Sequence, residues 1–165
     1  MPNYCWNHVT ITGNKKQLKK IKKKFDKYEE SIYFTSFGDY VLDIGKINDN
    51  YDVIKNRYGN SFDTCYIYGT KWWDFEMELE GGCLTISGDS AWSPPVELIE
   101  EICKHYKVKA HMEYEECGCD FGGQTIINEQ GIERCDDYSY CEWKYIVDPV
   151  EFIESDRRYL YEGNI

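Results

Sequence analysis

Four groups of side chains in this 165-residue sequence have types and spacings that could do chemistry. Lys71, Trp72 and Trp73, with Trp92 further on, combine a cation with indole rings. A nucleotide site uses that combination, since bases stack on rings and lysine meets phosphate. The competing reading is an ordinary strand entry with buried tryptophans. His8 and His111, with Glu113 and Asp120, have the chemistry of a metal site or an acid–base pair, set against incidental histidines on a sheet surface. Cys117-Gly118-Cys119, Cys135 and Cys141 form a C-x-C and a C-x₅-C separated by fifteen residues. Zinc ribbons space each pair as C-x₂₋₄-C, so these cysteines read as reduced thiols. Finally, LTISGDSAWSPPVELI over residues 84–99 joins a strand to a helix, a junction where a nucleophile or phosphate often sits. A nucleophile elbow needs G-x-S-x-G and a phosphate loop needs Gly-Lys-Ser/Thr, and neither is present. Pro94 and Pro95 remove two amides that an anion would use, while Ser93 is placed to cap the helix with Pro94 as its first residue. That junction packs. With no catalytic set assembled, the expectation is a protein that is not an enzyme and carries no cofactor.

A short series of elements must position these groups. Residues 7–13 alternate, with Val9 and Ile11 on one face and His8, Thr10 and Thr12 on the other, which predicts a half-buried strand. Asn14 then caps a helix whose Leu18, Ile21 and Phe25 form one narrow stripe under a coat of lysines. The lysine run reads as a solvated face rather than a nucleic-acid or membrane site. Phe75, Met77 and Leu79 alternate with Glu76, Glu78 and Glu80 before Gly81-Gly82, a tight two-residue turn. The register that keeps every apolar residue on one face pairs Glu80 with Cys83, Leu79 with Leu84 and Met77 with Ile86. Leu98, Ile99, Ile102, Cys103 and Tyr106 stripe a second helix. Val108, Ala110, Met112 and Tyr114 alternate with Lys109, His111, Glu113 and Glu115 in a further strand. Residues 125–128 and 141–147 read as two more strands, and 149–155 as a turn of helix.

The order β-α-β-β-α-β is the ferredoxin-like split βαβ plan, an α+β fold with one antiparallel sheet. The expected organisation is a single domain over 1–165, with its core at 5–29 and 71–116. Residues 30–70 form an insertion, and the extension 117–165 adds a β-hairpin. Both helices cover the apolar face of the sheet and leave the other face available.

Composition narrows the partners. Net charge is −11, with 15 Tyr and 5 Trp. Residues 1–60 hold 11 Lys/Arg against 7 Asp/Glu, and residues 61–165 hold 8 against 23. Such an acidic C-terminal region opposes a phosphate backbone, so general nucleic-acid binding is not expected. Ferredoxin-like RNA modules stack bases on aromatics of their central strands. Here the outward residues His8, Thr10, Thr12, Cys83, Thr85 and Ser87 include none. No run approaches the roughly 18 apolar residues of a membrane span and no secretory h-region is evident, which predicts a soluble, intracellular protein with reduced cysteines.

Four patches resemble the YubB-like, Api-type ferredoxin-fold family of small proteins encoded by phages and conjugative plasmids. They are Met1-Pro2-Asn3-Tyr4-Cys5-Trp6-Asn7 with Thr10–Gly13; Tyr68-Gly69-Thr70-Lys71-Trp72; Ala91-Trp92-Ser93-Pro94-Pro95; and Tyr114-Glu115-Glu116 with Asp120-Phe121-Gly122-Gly123. Tyr68, where the pattern has Trp, and the Cys117/Cys119 pair depart from it. The resemblance implies a mobile genetic element as source, host cytoplasm as location and no agreed catalytic residues. It favours a counter-defence protein that binds a host or defence protein with a basic surface. The interaction surface expected is Glu76, Glu78, Glu80, Glu113 and Glu115 with Tyr138 and Tyr140. The alternatives are a nucleotide sponge built on Lys71, Trp72, Trp73 and Trp92, and a metal-dependent enzyme using His8, His111, Cys117 or Cys119.

Overall fold

The computed structural model describes residues 3–26, 69–70 and 73–149. Residues 30–68 of the expected 30–70 insertion, Lys71, Trp72 and all but the first residue of the helical turn expected at 149–155 lie outside the described residues. Strand β1 (Tyr4–Thr12) leads into α1 (Lys15–Asp26), and β2 (Trp73–Glu80) turns into β3 (Cys83–Ala91). Helix α2 (Val96–Tyr106) follows, then β4 (Lys109–Glu116), β5 (Phe121–Asn128), β6 (Gly131–Tyr138) and α3 (Tyr140–Val147). The six strands form one sheet in the order β2-β3-β1-β4-β5-β6, every neighbour antiparallel. The first four reproduce the ferredoxin-like plan, and β5 and β6 extend the same sheet as a meander.

Local chemistry accounts for these elements. Asn14 caps α1 as expected: its Oδ1 accepts from the Lys16 amide at 2.9 Å, and its carbonyl accepts from Gln17 and Leu18. Gly81 and Gly82 both take positive φ, 59° and 90°, which a two-residue hairpin turn demands. The β2–β3 register is the expected one, Glu80 opposite Cys83, Leu79 opposite Leu84 and Met77 opposite Ile86. Leu18, Ile21 and Phe25 of α1 and Leu98, Ile99, Ile102, Cys103 and Tyr106 of α2 are buried on one face of the sheet, against Val9, Ile11, Leu84, Ile86, Ala110 and Met112. Phe75, Met77 and Leu79 pack against that core from the edge strand.

Four expectations need correction. β1 starts at Tyr4, not Asn7, so Tyr4 and Trp6 join its outward face. Ser93 does not cap α2: that helix begins at Val96, has Pro95 at its N-cap and no side-chain cap bond, and the Ser93 hydroxyl donates to the Gly69 carbonyl instead. The last hairpin is built from 121–128 and 131–138. As an edge strand with most residues in water, β6 has little apolar alternation to read in sequence. Finally, residues 141–147 are helix, not strand. Ser139 Oγ accepts from the Glu142 amide while the Glu142 carboxylate accepts from the Ser139 amide at 3.0 Å, a complete capping box.

Helix α3 packs on the face opposite α1 and α2. Its one buried side chain, Trp143, seats on Gly122, where any Cβ would stand 2.6 Å from the indole ring. Lys144 Nζ reaches Glu115 Oε1 at 2.7 Å. One end of that face is thereby covered, and among the described residues no other helix packs on the rest.

Candidate functional site

Alternation puts every second residue of each strand on the open face, and the registers align those residues into rows. The first row runs Asp74, Asp89, Trp6, Glu115, Gly122, Tyr138. The second is Glu76, Ser87, His8, Glu113, Gln124, Asp136, and the third Glu78, Thr85, Thr10, His111, Ile126, Arg134. Glu80 lies opposite Cys83 at the far end. The five glutamates expected as an interaction surface therefore share one face with Tyr138, and Tyr140 opens α3 beside them, its amide donating to Asp120 Oδ1 at 3.1 Å.

The electrostatics of this face are lopsided. Lys144 neutralises Glu115, and Arg134 lies 2.7 Å from Asp136, holding that carboxyl below its ordinary range. Asp74, Glu76, Glu78, Glu80, Asp89 and Glu113 have no ion-pair partner among the described residues. Asp74 and Asp89 stand directly opposite each other across β2 and β3. Like charges so placed repel, and the open face retains that repulsion.

Exposed rings border the carboxylates. Tyr4 is 61% exposed and Trp6 41%. Trp6 stacks on His8, centroids 6.1 Å apart and planes at 12°. These outward aromatics correct the expectation that the central strand offers none. The sequence did hold the signal, because Tyr4, Trp6 and His8 continue backwards the alternation of Thr10 and Thr12. Asp74, Asp89 and Asp136 were likewise missed, since their side becomes visible only when the strands are in register.

The histidines are engaged separately. His8 Nδ1 lies 2.7 Å from Ser87 Oγ, and His111 Nε2 lies 2.9 Å from Gln124 Oε1. Cys117 and Cys119 are exposed in the β4–β5 turn, where Glu116 accepts from the amides of Gly118 and Cys119, and Asn3 donates to Cys119 Sγ at 3.4 Å. Cys135 lies on β6 and Cys141 on α3. Among the described residues no three His, Cys, Asp or Glu side chains gather as a metal site. Of the candidate nucleotide site, Trp73 is 7% exposed and packs against Phe75, Trp92 is 55% exposed, and Lys71 and Trp72 lie outside the described residues.

A buried polar knot fixes the end of the sheet that carries the rings. Asn7 is fully buried, and its Nδ2 donates to the Cys5 carbonyl at 2.7 Å, Ser90 Oγ at 2.8 Å and the Gly88 carbonyl at 3.3 Å. Ser90 Oγ donates on to the Ser93 carbonyl, Thr70 Oγ1 to the Ala91 carbonyl, and the Trp92 amide to the Asn3 carbonyl. Burial beside these groups pushes the Cys5 thiol up to about 12, so it stays protonated. On the helix side, the Tyr114 hydroxyl donates to Asp137 Oδ1 at 2.5 Å; burial first, and that bond second, hold it protonated far above the usual phenol range. Both are neutral structural ties. Of the sequence patches quoted above, the described residues of Asn3–Asn7, Gly69–Thr70, Ala91–Pro95 and Tyr114–Glu116 meet at this one end, while Thr10–Gly13 lies at the other.

Residues 67–148 match the family model described as the ferredoxin-like domain in Api92-like protein. Among solved structures, the crystal structure of a protein api92 from Yersinia pseudotuberculosis is similar at 9% identity, covering 84% of this chain and 99% of that one, with a TM-score of 0.49. No curated protein matches.

Proposed function

We propose, from the premise that residues 67–148 carry the ferredoxin-like domain of Api92-like proteins, that this chain acts by binding: the open carboxylate face docks on a basic surface of another protein. The observation behind this reading is the set of six carboxylates, Asp74, Glu76, Glu78, Glu80, Asp89 and Glu113, that share the face without ion-pair partners among the described residues. A net charge of −11 adds long-range attraction for a basic partner and repels polyanions. With a phage or plasmid source, the partner is a host or defence protein, and the role is inhibition of that protein.

The test is capture from host lysate on the immobilised protein, compared with a variant carrying Glu76→Lys, Glu78→Lys and Glu113→Lys. Wild type should retain basic proteins that salt elutes, and the variant should lose them while keeping its circular dichroism. Retention of the same proteins by both would discard the acidic face as the docking surface. No helix among the described residues is long and apolar enough to cross a membrane.

A further inference from the structure

We infer that the open face carries an anchor for arginine, centred on Trp6, and that the docking partner presents an arginine-bearing segment there; this rests on the reading of the face just given. Trp6 is the exposed ring at the centre of the sheet's first row. In register it stands between Asp89 on β3 and Glu115 on β4, and Asp74 lies beyond Asp89. Its ring is held in place: it stacks on His8, and His8 Nδ1 is tied to Ser87 Oγ at 2.7 Å.

The two flanking carboxylates differ. Lys144 already neutralises Glu115 at 2.7 Å. Asp89 has no such cation among the described residues and faces Asp74 directly. A cation arriving over Trp6 on the β3 side would relieve that repulsion, which is why the occupant is cationic. Guanidinium suits the place better than ammonium. It is planar, so it can lie on the indole face while its in-plane N–H groups donate to the adjacent carboxylate. A lysine ammonium is a compact, strongly hydrated charge that gains from the carboxylates but not from a planar stack. The surrounding carboxylates repel the phosphates of a nucleic acid, leaving a basic polypeptide as the source of the cation.

Isothermal titration of the whole protein with an Arg-Gly-Arg-Gly-Arg peptide and its equally charged lysine counterpart tests the anchor. The arginine peptide should bind tighter by roughly three- to tenfold. Trp6→Leu should erase that preference and leave lysine binding unchanged, since Trp6 is half exposed and its loss is tolerated by the fold. Asp89→Asn should weaken both peptides. Equal binding of the two peptides, unmoved by Trp6→Leu, overturns the anchor and leaves the acidic docking face standing. Binding of neither peptide removes both readings.

Discussion

Replacing Asn7 by alanine takes away the donor shared by the Cys5 carbonyl, the Gly88 carbonyl and Ser90 Oγ; Asn7, Cys5 and Ser90 are fully buried. Water does not reach to replace it, so the variant should lose about 1–3 kcal/mol in urea unfolding. The opposite fault is available at Gly122, where a Cβ would meet the Trp143 ring at 2.6 Å. Gly122→Val should cost about 1–3 kcal/mol by overpacking and displace α3, seen as lost amide protection at Trp143. Asp89→Asn works the other way. Removing one of two carboxylates that face each other should raise stability by up to about 1 kcal/mol in the same assay, while weakening cation binding. A residue that lowers stability yet shapes a charged surface has the profile of a functional one.

Helix α3 depends on its cap because only Trp143 is buried along its length. Glu142 accepts from the Ser139 hydroxyl and amide, and these bonds lower its carboxyl below the ordinary 4.5. A depressed carboxyl contributes stability that is fully present above its unfolded value and lost as pH falls through its lower folded value. Amide protection in residues 140–147, taken relative to the intrinsic exchange rate at each pH, should therefore fall as pH drops below about 4, earlier than in the sheet core. Glu142→Gln should flatten that dependence, and protection independent of pH in wild type would contradict the capping account. The S-x-x-E signature ahead of this helix was legible in sequence. The apolar spacing of Cys141, Trp143, Tyr145 and Val147 mimicked a strand and obscured it. Strand β6 was illegible for a different reason: an edge strand with little burial needs no alternation.

At the scale of the molecule, the two faces of the sheet have opposite chemistry among the described residues. Helices α1 and α2 bury one face, α3 covers an end of the other, and the remainder carries carboxylates and the exposed rings of Tyr4 and Trp6 with no further described element packed on it. Such a face loses part of its self-repulsion as salt screens it, over a Debye length of roughly 8 Å at physiological ionic strength. The thermal midpoint of wild type should consequently rise with added salt more than that of the variant carrying Glu76→Lys, Glu78→Lys and Glu113→Lys. An equal rise in both, by calorimetry, would mean that the repulsion does not bear on stability.

What sequence alone determined was the periodic part of this protein. Val9 and Ile11, the Glu-flanked Phe75, Met77 and Leu79, and the α2 stripe must each turn one way, because an apolar side chain in water costs free energy wherever it occurs. Those constraints are local and imply the ferredoxin-like order. Only tertiary structure decided that Asp74, Asp89, Trp6 and Glu115 stand in one row, since residues far apart in the chain become neighbours through strand register and strand order. It also decided that α3 crosses to the second face, because Gly122 leaves a seat there for Trp143.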